Sequence, residues 1–166
     1  MISLEITGTE RVISGFNLRV ERVRVAAKST LDAWAMELAG YIKANKLSGS
    51  PLHRRSGRLS ASVHPFDQST PDAVTAGAAS GGNVPYARIQ EYGGTIHHPG
   101  GTAYFISALL GRAFFVSNAS AIAASLPRTK PHDIPIPERS YMRSSLREEA
   151  PRGIEMLRAA VKEAIA

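Results

Sequence analysis

The chain contains no cysteine, so it has no disulfide framework and no thiolate chemistry. It also has no apolar run near the roughly 18 residues that a membrane-spanning helix needs. Met1-Ile2-Ser3-Leu4-Glu5-Ile6 lacks a basic stretch leading into an apolar one, so a secretory signal is not expected and synthesis in a reducing cytoplasm is. No G-x-x-x-x-G-K-[ST] or G-x-G-x-x-G phosphate-binding pattern occurs, nor a G-x-S-x-G elbow or an H-E-x-x-H pair. These gaps remove the commonest sequence routes to nucleotide, serine-hydrolase and zinc-protease chemistry.

What is present is a foldable composition, 43% apolar and 20% charged over 166 residues. That length suits one domain, residues 1–166, burying roughly 70% of the surface its unfolded chain would expose. The formal charge is +6. Its basic residues (Arg19, Arg22, Arg24, Lys28, Arg54, Arg55, Arg58, Arg128, Lys130, Arg143, Arg147, Arg152 and Arg158) are scattered among acids. They read first as solvated helix faces, with a patch for DNA or an acidic partner as the alternative.

Residues 2–7 alternate apolar and polar, a strand pattern within an N-terminal extension, 1–15. From Phe16, with Asn17 as N-cap, the period becomes helical. Val20, Val23, Ala27, Leu31, Trp34, Leu38 and Tyr41 continue one stripe, and Ser48-Gly49-Ser50-Pro51 ends it. Strands are predicted over 59–66 and 73–78, then a short helix from Pro85 closed by a left-handed cap at Gly93. Residues 102–106 and 112–117 predict an aromatic hairpin. Stretches 79–101, outside the short helix, and 118–137 predict mobile loops. A C-terminal helix carries Leu146, Ala150, Ile154, Leu157, Val161 and Ile165, with Pro151 predicting a kink or two abutting helices. The expected class is α+β, with long N- and C-terminal helices packed on a mainly antiparallel sheet.

Candidate chemistry is thin. His97 and His98 are adjacent, so an extended chain points them to opposite faces. His132-Asp133 could join them only through tertiary contact, and His53 and His64 show no ligand spacing. Glu91 and Glu138 are the conspicuous carboxylates, expected to pair with Arg88 or Arg139 or with a neighbouring subunit. Neither an enzyme nor a bound cofactor or metal is expected.

Three segments carry more information. They are Ser56-Gly57-Arg58-Leu59-Ser60-Ala61-Ser62-Val63, Pro85-Tyr86-Ala87-Arg88-Ile89-Gln90-Glu91-Tyr92-Gly93-Gly94 and Ile136-Pro137-Glu138-Arg139-Ser140-Tyr141-Met142-Arg143. In this order they resemble the tail-completion (head–tail joining) proteins of tailed bacteriophages, including lambdoid minor tail components and Mu-type virion-morphogenesis proteins. The likeness covers about residues 16–165. It departs from the family's pattern at Glu138 and Ser140, where a small residue and a proline are usual. The resemblance implies a non-enzymatic virion protein of the neck or upper tail, a ring, hexameric by resemblance, that joins the tail to the head-side connector. Its implied partners are copies of itself, the connector or adaptor, and the tail terminator or tube, with DNA passing through the lumen and no membrane. A tail terminator capping the tube and a basic nucleic-acid-binding module are the alternatives. The residues it nominates for interfaces are Arg58, Tyr86, Arg88, Glu91, Tyr92, Arg139 and Tyr141. Core packing of Tyr86, Ile89 and Tyr141 is the competing assignment.

Overall fold

The computed structural model describes residues 8–53 and 56–166. The class is α+β: two long helices, shorter helical turns and three antiparallel strand pairs. The chain divides into two compact units, Met1–Glu91 with Arg139–Ala166, and Tyr92–Glu138.

In the first unit, α1 spans Thr9–Tyr41 and passes through a π turn at Ile42–Lys46. It starts earlier than Phe16, capped by Gly8 at φ 89° rather than by Asn17. Gly15, expected within a connection, is helical. Nothing packs near its Cα, so it costs the helix only about 1 kcal/mol relative to alanine. The strand pattern at 2–7 lies outside the described residues.

One turn of helix, α2 (Arg58–Ser62), follows Gly57, whose φ is 76°. A strand was expected from Leu59. Instead Ala61 N–H donates to Gly57 O at 2.9 Å and Ser62 Oγ donates to Leu59 O at 2.8 Å, bonds that a helical turn offers and a strand does not. Strand β1 (Val63–Asp67) therefore begins four residues later than expected and pairs antiparallel with β2 (Ala76–Ser80), Val63 opposite Ser80. Helix α3 (Ala87–Tyr92) and helix α4 (Met142–Ile165) complete the unit. Pro151 lies inside α4, which runs through it as one helix rather than two.

The core gathers Trp34, Leu38, Ile42, Leu47, Val63 and Tyr141, each worth about 1.5–3 kcal/mol when fully buried. Where α4 meets α1, Gly153 lies against the Trp34 indole; a Cβ there would sit 2.7 Å from Trp34 Cε2. Around this contact Lys46 and the Tyr41 hydroxyl both reach Glu148, at 2.7 and 2.6 Å, and Arg152 pairs with Glu37 at 2.9 Å.

In the second unit, β3 (Gly94–His98) pairs antiparallel with β6 (His132–Ile136), and β4 (Ala103–Ser107) with β5 (Arg112–Val116). The second pair is the expected aromatic hairpin, with Phe105 and Phe114 stacked at 5.5 Å. The first pair corrects the expectation of loops in 79–101 and 118–137, as does a 3-10 turn at Ala121–Ser125. Each strand is only five residues long, too short to show a period alone, and Pro135 counts against a strand unless it lies on an edge. Gly93, at φ 68°, is the expected left-handed cap; a Cβ there would meet Glu138 N at 2.8 Å.

Candidate functional site

Tyr141 occupies the N-cap position of helix α4, and its own side chain makes no cap bond. Locally only Ser140 Oγ helps, accepting Ser144 N–H at 3.3 Å. Glu91, from the end of α3, holds the earlier donors. Its Oε2 accepts the Tyr141 and Met142 N–H groups at 2.8 and 2.9 Å. Its Oε1 accepts Arg143 N–H at 3.0 Å, the Ser140 hydroxyl at 2.8 Å and Arg143 Nε at 3.1 Å. Arg143 Nη2 also donates to the Glu91 carbonyl at 3.1 Å.

This carboxylate is 5% exposed. Burial alone would push it up, but the N–H groups of Met142, Arg143 and Tyr141, with the Ser140 hydroxyl, outweigh that and hold it below its ordinary value. Its arginine is thus Arg143, not Arg88 or Arg139. Arg139 meets the same segment through its backbone, donating N–H to Gln90 O at 2.8 Å.

Beside this junction lies a cleft of about 560 Å³. Leu47, Leu52 and Leu59 form its apolar side, and Ser56, Gly57, Ser60 and His53 lie around them. Tyr86, Gln90 and Arg139 complete it. Gln90 Oε1 is buried with no donor among the described residues. Among the described residues no aspartate or glutamate lines the cleft. Residues from all three sequence segments, up to 83 positions apart, therefore converge on one depression (139 minus 56).

The nominated residues divide accordingly. Tyr86 and Arg139 line the cleft, both exposed. Arg58 lies on the surface of α2, its Nη2 donating to Asn83 O at 3.3 Å. Arg88 is exposed on α3 but does not line the cleft. Tyr92 is exposed at the end of α3. Glu91 and Tyr141 are buried within the chain, Tyr141 to 1%, which corrects their nomination as surface contacts. Leu47, Leu52, His53 and Gln90 were not nominated. Only the turn-rich stretch after α1 hints at the first three, and Gln90 stands inside the second segment without a feature of its own.

The histidines do come together, in the second unit. His97 Nδ1 pairs with Asp133 at 2.7 Å, and His98 stacks on His132 at 5.0 Å. The β3–β6 register, His97 opposite Asp133 and His98 opposite His132, sets both contacts. Among the described residues, no three histidine or acidic side chains gather as a metal site would require.

Compared with protein-family models, curated proteins and solved structures, the chain matches none.

Proposed function

We propose that the protein is a structural component of the neck or upper tail of a tailed-phage particle, where copies close into a ring joining the tail to the head-side connector. The observation that carries this reading is the convergence of the three segments. From each segment some residues line one cleft (Gly57 and Leu59, Tyr86 and Gln90, Arg139), and Glu91 of the second ties itself to the start of α4. Such a junction fixes surfaces and leaves Tyr86 and Arg139 to offer contact area and a forked donor.

Exposed apolar surface supports the same reading. Val12, Ile13, Phe16 and Val20 stand bare on the first half of α1, and Ile106, Leu109 and Leu110 at the β4–β5 turn. A lone soluble domain rarely leaves so much apolar surface uncovered. Repeated head-to-tail contacts between identical subunits bury it and, where the rotation closes, form a ring. Light scattering and negative-stain electron microscopy of the purified protein should show closed rings, and antibody labelling should place it at the particle neck. A monomer at every concentration, absent from particles, would overturn the reading.

A nucleic-acid contact has one observation in its favour. Arg11, Arg19 and Arg22 are exposed along the first half of α1, with no ion pair among the described residues. Duplex DNA binding that weakens steeply with salt would favour it.

A further inference from the structure

We propose that the cleft of the first unit is a socket for an acidic segment of another protein, one that sets a carboxylate beside an apolar side chain. The inference is independent of the ring reading, because it rests on the chemistry of the lining and the charge of the chain. Leu47, Leu52 and Leu59 offer an apolar side with little to satisfy except another apolar group. Arg139 stands at the same cleft, exposed and without an ion partner among the described residues. Its planar fork suits a carboxylate. Among the described residues the lining adds His53 and holds no acid, so the lining itself sets no negative charge against an incoming anion.

Gln90 adds a main-chain requirement. Gln90 lines the cleft and its Oε1 has no donor among the described residues, a lack that a peptide N–H would meet. The cleft, about 560 Å³, falls within the range of pockets that enclose a few side chains. A carboxylate, an apolar side chain and a backbone N–H together describe a peptide segment.

Charge favours an acidic partner at the cleft. The chain carries +6, and at least six of its 14 acidic residues already pair within it: Asp32, Asp67, Glu148, Asp133, Glu91 and Glu37. That leaves fewer acids to enter the cleft of a second copy, whereas an acidic segment of another protein is drawn in by the net charge.

The test uses the full chain and a short end-blocked peptide of alternating leucine and glutamate, fluorescein-labelled, with glutamine and lysine versions as controls. Anisotropy should show saturable binding of the glutamate peptide, weaker binding of the glutamine peptide and none of the lysine peptide. Amide NMR shifts should fall at Ser56, Ser60 and Gln90. Arg139→Gln should weaken binding about fivefold, as expected for an exposed ion pair. Arg139→Glu should reverse the preference toward the lysine peptide. Because Arg139 is exposed, neither variant should alter the fold, and its unchanged amide spectrum elsewhere checks this.

Equal binding of the three peptides would overturn the proposal, as would no saturable binding or shifts confined to other surfaces. So would concentration-dependent shifts of the cleft amides in the protein alone, which would make a second copy the occupant. Displacement of the peptide by duplex DNA, with DNA shifting the same amides, would assign the cleft to nucleic acid and equally overturn it.

Discussion

Among single residues, Glu91 illustrates how an acid is kept inside. Removing a carboxylate from water costs several kcal/mol. Here the loss is offset by N–H groups at the start of α4, where the helix dipole already favours negative charge, together with the Ser140 hydroxyl and Arg143. Glu91→Gln turns amide hydrogens toward some of those donors. It should destabilise the protein by about 2–3 kcal/mol at neutral pH, measured by urea unfolding. The carboxyl is held below its ordinary value of 4.5 in the folded chain, so on acidification the unfolded chain takes up the proton first. The contribution is complete above that value and is lost as pH falls through the folded one. The stability gap between parent and variant should stay constant down to about pH 5 and narrow below it. The sequence showed Glu91 to be unusual but not its partners. Arg88 and Arg139 were considered because they flank the two acidic candidates, whereas Arg143 reaches Glu91 only through the tertiary fold. One clue was available: Tyr141 is a poor N-cap, and a helix opening on it needs a cap from elsewhere.

Where the two long helices meet, close approach depends on Gly153. Gly153→Ala gains helix propensity, but its methyl group would drive into the buried Trp34 ring. Overpacking of about 1–3 kcal/mol, less about 1 for propensity, leaves a net loss of up to about 2 kcal/mol. Thermal unfolding should show it, and emission from the single tryptophan should shift as the ring is displaced. Long elements were well marked in the sequence because their stripes repeat: the apolar run ending at Trp34, Leu38 and Tyr41 located the buried half of α1. Its first two turns, Thr9 to Gly15, were hidden because Gly15 reads as a break and no core contact rewards the pattern there. Short elements were harder. The Arg58–Ser62 turn passed for a strand because Leu59 and Val63 are apolar, and β6 was missed because a strand of five residues containing Pro135 looks like a loop. The cleft was legible only in part: Gly57, Tyr86, Gln90 and Arg139 stood inside motifs, while Leu47 and Leu52 belong to it through folding alone.

For the whole molecule, uncovered apolar surface is the property most open to test. Leu109 is 92% exposed at the β4–β5 turn, so Leu109→Asp should leave folding stability within about 0.5 kcal/mol. The same variant should reduce self-association, read by sedimentation velocity against the parent, if the hairpin tip lies between subunits. Unchanged assembly would exclude the tip from the ring contact. A different consequence follows from Gln90 and Arg139, bonded backbone to backbone at 2.8 Å. The polypeptide departs from its larger body and returns to it at almost the same point, with 92–138 making the excursion between. Insertions and deletions along that detour need not stretch the host, since its two ends are already held together and added length costs only a slowly growing closure entropy. The excursion can thus change in length while the larger body keeps its own fold.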